Sequence, residues 1–123
     1  MSSINKVILV GHIGKDPEHR KLNGDVSVIS FPLATTSNHK KGAENIEDTE
    51  WHNIIMWREM ADSAYKVLEK GKLVYIEGKL QTRSYEKDGI KRHTTEIIVS
   101  HFTLLGRKSD FVTFESEEKM SQE

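Results

Sequence analysis

Residues 73–85 read LVYIEGKLQTRSY, and this stretch decides the fold that we predict for the chain. Alternation typical of a long β-strand assigns one face to Val74, Ile76, Gly78, Leu80 and Thr82, which we expect in the core. Gly78 inside the strand indicates a bulge or a sharp bend. Asp88-Gly89 then forms a hairpin turn, so we expect a second long strand over residues 91–105.

Three more strands are predicted upstream of this hairpin, over residues 5–10, 26–36 and 49–58. Asp16-Pro17 and Asn23-Gly24 are turn signals, which makes residues 14–25 a loop or a hairpin. Pro32 inside the second strand requires a sheet edge, a bulge or a bend. Residues 38–48 are polar and contain Gly42, so we expect a long exposed loop there.

A helix is predicted over residues 60–70. Its apolar side chains recur at helical spacing, and Gly71 follows where a C′ glycine belongs. The predicted order is therefore three strands, the helix and two strands. Bent strands with one helix between strands three and four fit an all-β fold of the OB type, a small five-stranded closed barrel.

The charge distribution suggests a folded body and an acidic tail. Residues 1–108 hold 17 basic and 14 acidic side chains, whereas residues 109–123 hold one lysine and five acids. We expect one OB-fold domain over 1–108 and a short disordered tail over 109–123. The chain has no cysteine, which excludes disulfides. The N-terminal residues show no signal-peptide pattern and no run is long enough to span a membrane, so we expect a cytoplasmic protein.

Two tryptophans lie on one face of the predicted third strand. Alternation places Trp51, Asn53, Ile55 and Trp57 together, and strand geometry separates the two indoles by about 20 Å. That spacing suits two separate platforms for stacking bases. Since tryptophan is usually largely buried, the strand alone leaves a core role equally open.

The face of residues 73–85 opposite the predicted core favours the platform interpretation. It presents Lys79, Gln81, Arg83 and Tyr85 in succession. Cations neutralise phosphates, and aromatic rings stack on bases with little sequence preference. A solvated strand face is the alternative. Further candidate DNA-binding side chains are Lys6, His39, Lys40, Lys41, Lys87 and Arg92.

No constellation of residues suggests an enzyme. Residues 11–15 (GHIGK) depart from a phosphate-binding loop, because Leu9 stands where the first glycine belongs and Asp16 where Ser or Thr belongs. The six histidines are scattered without metal-binding spacing. We expect no catalysis, no metal and no cofactor.

The motifs resemble the bacterial-type single-stranded DNA-binding protein family over about residues 4–106. They are NKVILVG (5–11), GKDPE (14–18), FPLAT (31–35), TEWH (49–52), GKLVYIEG (71–78), LQTR (80–83) with Tyr85, and TTEI (94–97). The resemblance implies an OB fold, a homotetramer, and wrapping of single-stranded DNA during replication, repair and recombination near the nucleoid. It also implies that Trp51, Trp57 and Tyr85 occupy stacking positions.

Two departures from the family pattern qualify these expectations. His39 stands where many members carry a further tryptophan, so one platform is weaker or relocated. The acidic C-terminal residues lack the family's Pro-Phe tip, which puts recruitment of replication and repair enzymes through the C-terminus in doubt. A specialised or mobile-element paralogue fits this pattern. The alternative function is that of an accessory OB-fold protein, either a primosome-type assembly factor or an RNA binder.

Overall fold

The computed structural model describes residues 2–106 and the backbone of residues 112–115. Within these ranges there are seven strands and one helix. They are β1 (Val7–Ile13), β2 (Glu18–Leu22), β3 (Val26–Lys41), β4 (Glu44–Trp57), α1 (Arg58–Val67), β5 (Leu73–Lys87), β6 (Ile90–Leu105) and β7 (Val112–Glu115).

Five of the strands close into a barrel. The order β1-β5-β6-β4-β3 is completed by pairing of β1 with β3, where His12 faces Ala34 and Ile13 faces Leu33. Strands β4 and β6 pair in parallel, and the other neighbours in the barrel pair antiparallel. Closure leaves the barrel with few free backbone groups, and it confirms the predicted five-stranded OB fold.

The core consists of the inward side chains of the barrel strands and one face of the helix. Strand β3 contributes Ile29, Phe31 and Leu33, all buried, and α1 contributes Met60 and Ala64. The helix lies between β4 and β5, since the short strand β2 adds one to the predicted count. Among the barrel strands alone, it follows the third and precedes the fourth, as expected.

The β5–β6 hairpin has an irregularity at Gly78, where the sequence predicts a bulge or a sharp bend. The register slips there, because Glu77 faces His101 whereas Gly78 faces Val99. A side chain at Gly78 would overlap the carbonyl carbon of Ile98, 2.9 Å away, so the two strands approach closely only with glycine.

Two sequence-based predictions about the hairpins were wrong. Residues 38–48 are not a loop, since β3 and β4 pair as far as Lys41 and Glu44 and turn at Gly42, whose φ is +66°. Leu80 is 49% exposed and is not core, because β5 has left the barrel by that residue. Thr82 is exposed for the same reason. The β3–β4 hairpin projects into solvent and buries neither face, so residues 38–48 lack the apolar alternation that marks a barrel strand.

The strand β2 forms a hairpin with β3 around the predicted Asn23-Gly24 turn, where Gly24 has a φ of +75°. The predicted acidic tail, residues 109–123, falls outside the described residues except for the backbone of β7. That strand pairs antiparallel with β6. No helix in the described part of the chain is long and apolar enough to cross a membrane.

Candidate nucleic-acid interface

Both tryptophans are exposed on one face of β4. Trp51 is 60% exposed and Trp57 is 38% exposed, while Ile55 between them is buried. The strand register places Trp51 opposite Ala34 and Trp57 opposite Val28 on β3. Neither indole belongs to the barrel core, so both can offer an aromatic face to a ligand.

Trp51 rests on the turn that follows β1. A Cβ atom added to Gly14 would overlap the six-membered ring of Trp51, with Cη2 only 2.9 Å away, and it would also contact Pro32 at 3.5 Å. The N–H of Gly14 donates a hydrogen bond to the carbonyl of Pro32 at 2.9 Å. The indole is therefore held at a fixed height above the sheet by a residue without a side chain.

Trp57 forms part of an open groove across the outer face of the sheet, which we call the Trp57 groove. Its volume is ≈ 500 Å³. Its lining combines apolar and polar side chains. The nine lining residues are Arg20, Leu22, Val28, Ile55, Trp57, Gln81, Arg83, Glu96 and Ile98.

Arg83 is held by two neighbours on the groove side of β5. Its Nε donates to both carboxylate oxygens of Glu96 at 3.1 Å. Its guanidinium carbon lies 5.8 Å from the ring centre of Tyr85, within range of a cation–π interaction. A continuous polar and aromatic strip thus runs from the groove toward the end of the hairpin.

The remaining candidates on β5 and β6 lie on the same strip. Lys79 and Gln81 are exposed, and they lie on the same face of β5 as Arg83 because each is two residues from the next. Lys87 lies on this face as well. Arg92 of β6 faces Tyr85 directly. The structure therefore brings together six of the candidates that sequence analysis selected from this hairpin, namely Lys79, Gln81, Arg83, Tyr85, Lys87 and Arg92.

Lys6 lies apart from the groove. Its Nζ is 3.2 Å from a carboxylate oxygen of Glu77, and Glu77 also accepts a hydrogen bond from the Tyr75 hydroxyl at 2.8 Å. This hydrogen bond, followed by desolvation and by the negative charge of Glu77, raises the pKa of Tyr75 above its usual 10.0. Lys6 thus takes part in a polar cluster beside β1.

The β3–β4 hairpin carries the last three candidates, and it separates them. Lys40 shares the face of Trp51 by alternation, whereas His39 and Lys41 lie on the opposite one. His39 Nδ1 is 3.2 Å from Asp48. The same hairpin also carries four acidic residues, Glu44, Glu47, Asp48 and Glu50. His39 is therefore not placed beside Trp51 as a substitute platform.

Two residues of the groove, Arg20 and Glu96, are not predicted by the sequence pattern. Arg20 lies in the segment predicted as a loop or hairpin, and alternation back from the Asn23-Gly24 turn is the signal that places it opposite Val28. Glu96 was assigned only to a family motif. A lone acid among threonines and isoleucines gives no signal of its own, and only the register opposite Gln81 shows its position.

The residues that the structure describes contain no cluster of three or more His, Cys, Asp or Glu side chains able to hold a metal ion. The interface presents aromatic rings, cations and hydrogen-bonding groups along an open surface.

Comparison with known proteins places this surface in a family context. The single-strand binding protein family matches residues 4–105. Single-stranded DNA-binding protein 1 of Chlorobaculum tepidum is 45% identical over 108 residues, covering 85% of this chain and 67% of that protein. The single-stranded DNA-binding protein of Neisseria meningitidis is 42% identical over 110 residues, covering 88% of this chain and 63% of that protein.

A solved structure agrees in fold. The Plasmodium falciparum SSB in complex with ssDNA has a TM-score of 0.72 and 35% sequence identity, covering 80% of this chain and 88% of that one. The chain thus spans about two thirds of the curated relatives' length and most of the solved domain. The family match over residues 4–105 and the 45% identity to the Chlorobaculum tepidum protein show that the chain belongs to the single-strand binding protein family.

Proposed function

We propose that the protein binds single-stranded DNA with little sequence preference and protects it during replication, repair and recombination. The observation that carries this proposal is the exposure of Trp51 and Trp57 on one face of β4, next to the polar and aromatic strip of β5 and β6, which includes Lys79, Arg83, Lys87 and Arg92. Exposed rings on a basic surface bind single strands by stacking and by phosphate contact. Named relatives that bind single-stranded DNA support it.

The proposed path of the strand follows the exposed side chains. It begins at Lys87, Arg92 and Tyr85 at the far part of the β5–β6 hairpin, crosses the Trp57 groove past Arg83, and continues along β4 to Trp51. Gln81 and Lys79 flank the path on β5. Lys40 lies on the same face of the β3–β4 hairpin as Trp51, so it extends the path beyond that tryptophan. We expect smaller contributions from Lys6, His39 and Lys41, because Lys6 and His39 face acids and Lys41 pairs opposite Glu44.

Fluorescence titration with oligo-dT at several salt concentrations tests this function. Stacking on a base should quench the tryptophan emission, and affinity should fall as salt rises because phosphate binding releases counterions. A folded sample whose emission does not change at low salt would refute the proposal. A matched oligo-U titration separates DNA binding from RNA binding.

We also propose that the protein assembles as a homotetramer through the face of β1. Ile8 and Val10 point outward and are 56% and 49% exposed, although they lie in a barrel strand. Among the described residues, β1 pairs with β3 only at His12 and Ile13, so one backbone edge of Val7 to Val10 has no strand paired with it. Exposed apolar side chains next to a free strand edge support association with another copy.

Light scattering tests this assembly. The wild-type chain should have four times the mass of a monomer, and Val10→Asp should lower it. If Val10→Asp kept the mass of a tetramer, the interface would lie elsewhere. If the wild-type chain had the mass of a monomer, the proposed tetramer would be refuted.

We propose further that residues 1–108 suffice for DNA binding and that the protein acts without catalysis, in the cytoplasm near the nucleoid. Charge supports this division, since the basic side chains concentrate in residues 1–108. A nuclease assay on labelled single strands tests the second point, and cleavage by purified protein would contradict it.

A further inference from the structure

The β5–β6 hairpin leaves the barrel beyond Gly78, and residues 79–95 form a two-stranded projection that we call the arm. Every residue of β5 from Lys79 to Lys87 is exposed, so no core lies beneath this part of the hairpin. A two-stranded hairpin without a core is at best marginally stable by itself in water. The direction in which the arm projects therefore depends on how its base is attached to the barrel.

The base of the arm is attached along both of its edges. On the β6 edge, strand β4 pairs in parallel with residues 96–98. On the β5 edge, the pairing with β1 ends where Val7 faces Gly78. Beyond that point the side chain of Asn5 binds the backbone of Leu80, with Nδ2 donating to the carbonyl at 2.9 Å and Oδ1 accepting from the N–H at 3.0 Å. A residue of a neighbouring antiparallel strand would make the same two hydrogen bonds, so one side chain here takes the place of a strand.

The chemistry of asparagine suits this position. Its carboxamide carries a donor and an acceptor side by side, whereas an ionised aspartate has acceptors only and alanine has neither group. Leu80 lies between Lys79 and Gln81, two of the candidate DNA-binding residues, and it faces Ile97 of β6. Asn5 therefore holds the backbone at the level where the arm leaves the barrel.

The length of the arm makes its angle to the barrel important for binding. Lys87 follows Leu80 along β5 by a distance of about 24 Å at roughly 3.4 Å per residue. A rotation of about 10° at Leu80 would therefore move the backbone of Lys87 by about 4 Å. A charge-assisted hydrogen bond to a phosphate needs a separation of about 2.8 Å, so a displacement of this size breaks the contact. The cations of the arm and the tryptophans of β4 can bind one strand together only if the angle is fixed.

We infer that Asn5 is a positioning residue for DNA binding, which fixes the angle between the arm and the barrel through the backbone of Leu80. The inference rests on the proposed function and deepens it. Asn5 orders the arm before the strand arrives, so the free energy of binding is not spent on ordering it. Preorganisation of this kind raises affinity without adding a contact.

Two simpler roles for Asn5 predict different results. If its side chain only covers an open strand edge, Asn5→Ala lowers the melting temperature but leaves the affinity of the folded protein unchanged. If Asn5 contacts the DNA directly, its replacement weakens binding by the same factor whether or not the end of the arm can bind. Affinities measured with and without the cations at the end of the arm separate these roles from positioning.

The first experiment measures the affinity for an oligo-dT long enough to reach from Trp51 to the end of the arm, at a temperature where every variant is folded. Asn5→Ala should bind about fivefold more weakly than wild type, because part of the binding energy then orders the arm. Ser3→Ala serves as the matched control, since it shortens an exposed side chain of the same N-terminal segment, and it should bind as wild type does. Equal affinities of wild type and folded Asn5→Ala overturn the inference.

A double-mutant cycle tests whether Asn5 acts through the arm. The second background carries Lys87→Ala and Arg92→Ala, which remove the two cations farthest from Leu80 along the path. Asn5→Ala should weaken binding less than about twofold in that background, because contacts that depend on the angle of the arm are already lost. A fivefold loss in both backgrounds would show that Asn5 acts independently of the end of the arm, and it would overturn the inference.

Amide hydrogen exchange tests the attachment without DNA. The N–H of Leu80 should exchange faster in Asn5→Ala than in wild type, because its acceptor is removed, while the amides that pair β5 with β1 up to Gly78 keep their rates. An equal rate for Leu80 in both proteins would overturn the inference. Wild type that does not bind oligo-dT would instead refute the proposed function itself, so the two failures are distinguishable.

Discussion

Replacing Gly14 by alanine should move the Trp51 indole without removing it. A Cβ at this position would overlap Cζ3 of the ring and lie 2.9 Å from Cη2, so the ring has to move by about an ångström before its nearest atom reaches an ordinary carbon–carbon contact of about 3.5 Å. The backbone at Gly14 does not have a positive φ, so alanine fits the chain itself. The perturbation is therefore confined to the position of the ring.

The size of the effect is bounded by what the ring contributes to binding. A base stacked on an aromatic side chain contributes about 1–3 kcal/mol, and this is the expected loss for Trp51→Ala. A ring displaced by about an ångström retains part of that stacking, so Gly14→Ala should weaken binding by about 1 kcal/mol. Folding stability should change little, since the loss of glycine flexibility in the unfolded chain offsets the clash by about 0.4–1 kcal/mol.

A double-mutant cycle provides the decisive assay. Oligo-dT affinities are measured for wild type, Gly14→Ala, Trp51→Ala and the double variant, with thermal melting to establish folding. In the Trp51→Ala background there is no ring to displace, so Gly14→Ala should then leave affinity unchanged. If Gly14→Ala weakened binding equally in both backgrounds, Gly14 would act independently of Trp51 and the reasoning would fail.

Two further expectations concern the same surface, and a third concerns Tyr75 in the polar cluster beside β1. Trp57→Ala should weaken binding to strands of every base by about 1–3 kcal/mol, and it should lower the melting temperature more than Trp51→Ala does because Trp57 is less exposed; wild-type affinity would make this indole structural. Lys79→Ala should reduce the salt dependence of binding by about one phosphate contact, whereas Lys66→Ala on the helix should not; equal slopes would place Lys79 off the strand. An ultraviolet titration should show the pKa of Tyr75 above its usual 10.0. Since its folded pKa is raised, the stability that Tyr75 contributes is complete below pH 10.0 and declines as the pH rises above that value. Tyr75→Phe should remove that decline. If the variant lost stability above pH 10.0 as steeply as wild type, Tyr75 would not be its source.

The sequence predicts the barrel well because its strands and helix are half buried. In β3, alternation of apolar residues with smaller or polar ones reflects one face in the core, and the helical spacing of Met60 and Ala64 reflects one side against the barrel. The bend at Gly78 is equally local, since only glycine permits that approach of two strands. Physical requirements of this kind act on neighbouring residues, so they leave a pattern in the sequence.

The hairpins and the groove depend on non-local register and were predicted less well. Residues 38–48 look like a loop because nothing in a solvated hairpin selects apolar side chains. The exposure of Leu80 likewise depends on where β5 leaves the barrel, which its own alternation does not reveal. The Trp57 groove brings together Arg20 and Glu96 from strands far apart in the chain, a proximity that only the pairing of the whole sheet determines.

The way the barrel closes also sets an order for its folding. The β3–β4 and β5–β6 hairpins pair residues that are close in sequence. The pairs nearest the turns are Lys41 with Glu44 and Lys87 with Ile90. Strand β1 instead joins residues far along the chain, with Val7 facing Gly78, so its contact order is high and its loop-closure entropy is large. We expect the two hairpins to form early and β1 to dock last. Until β1 docks, the edges of β3 and β5 that it covers are unpaired, so a partly folded chain exposes more open strand edge than the completed barrel does.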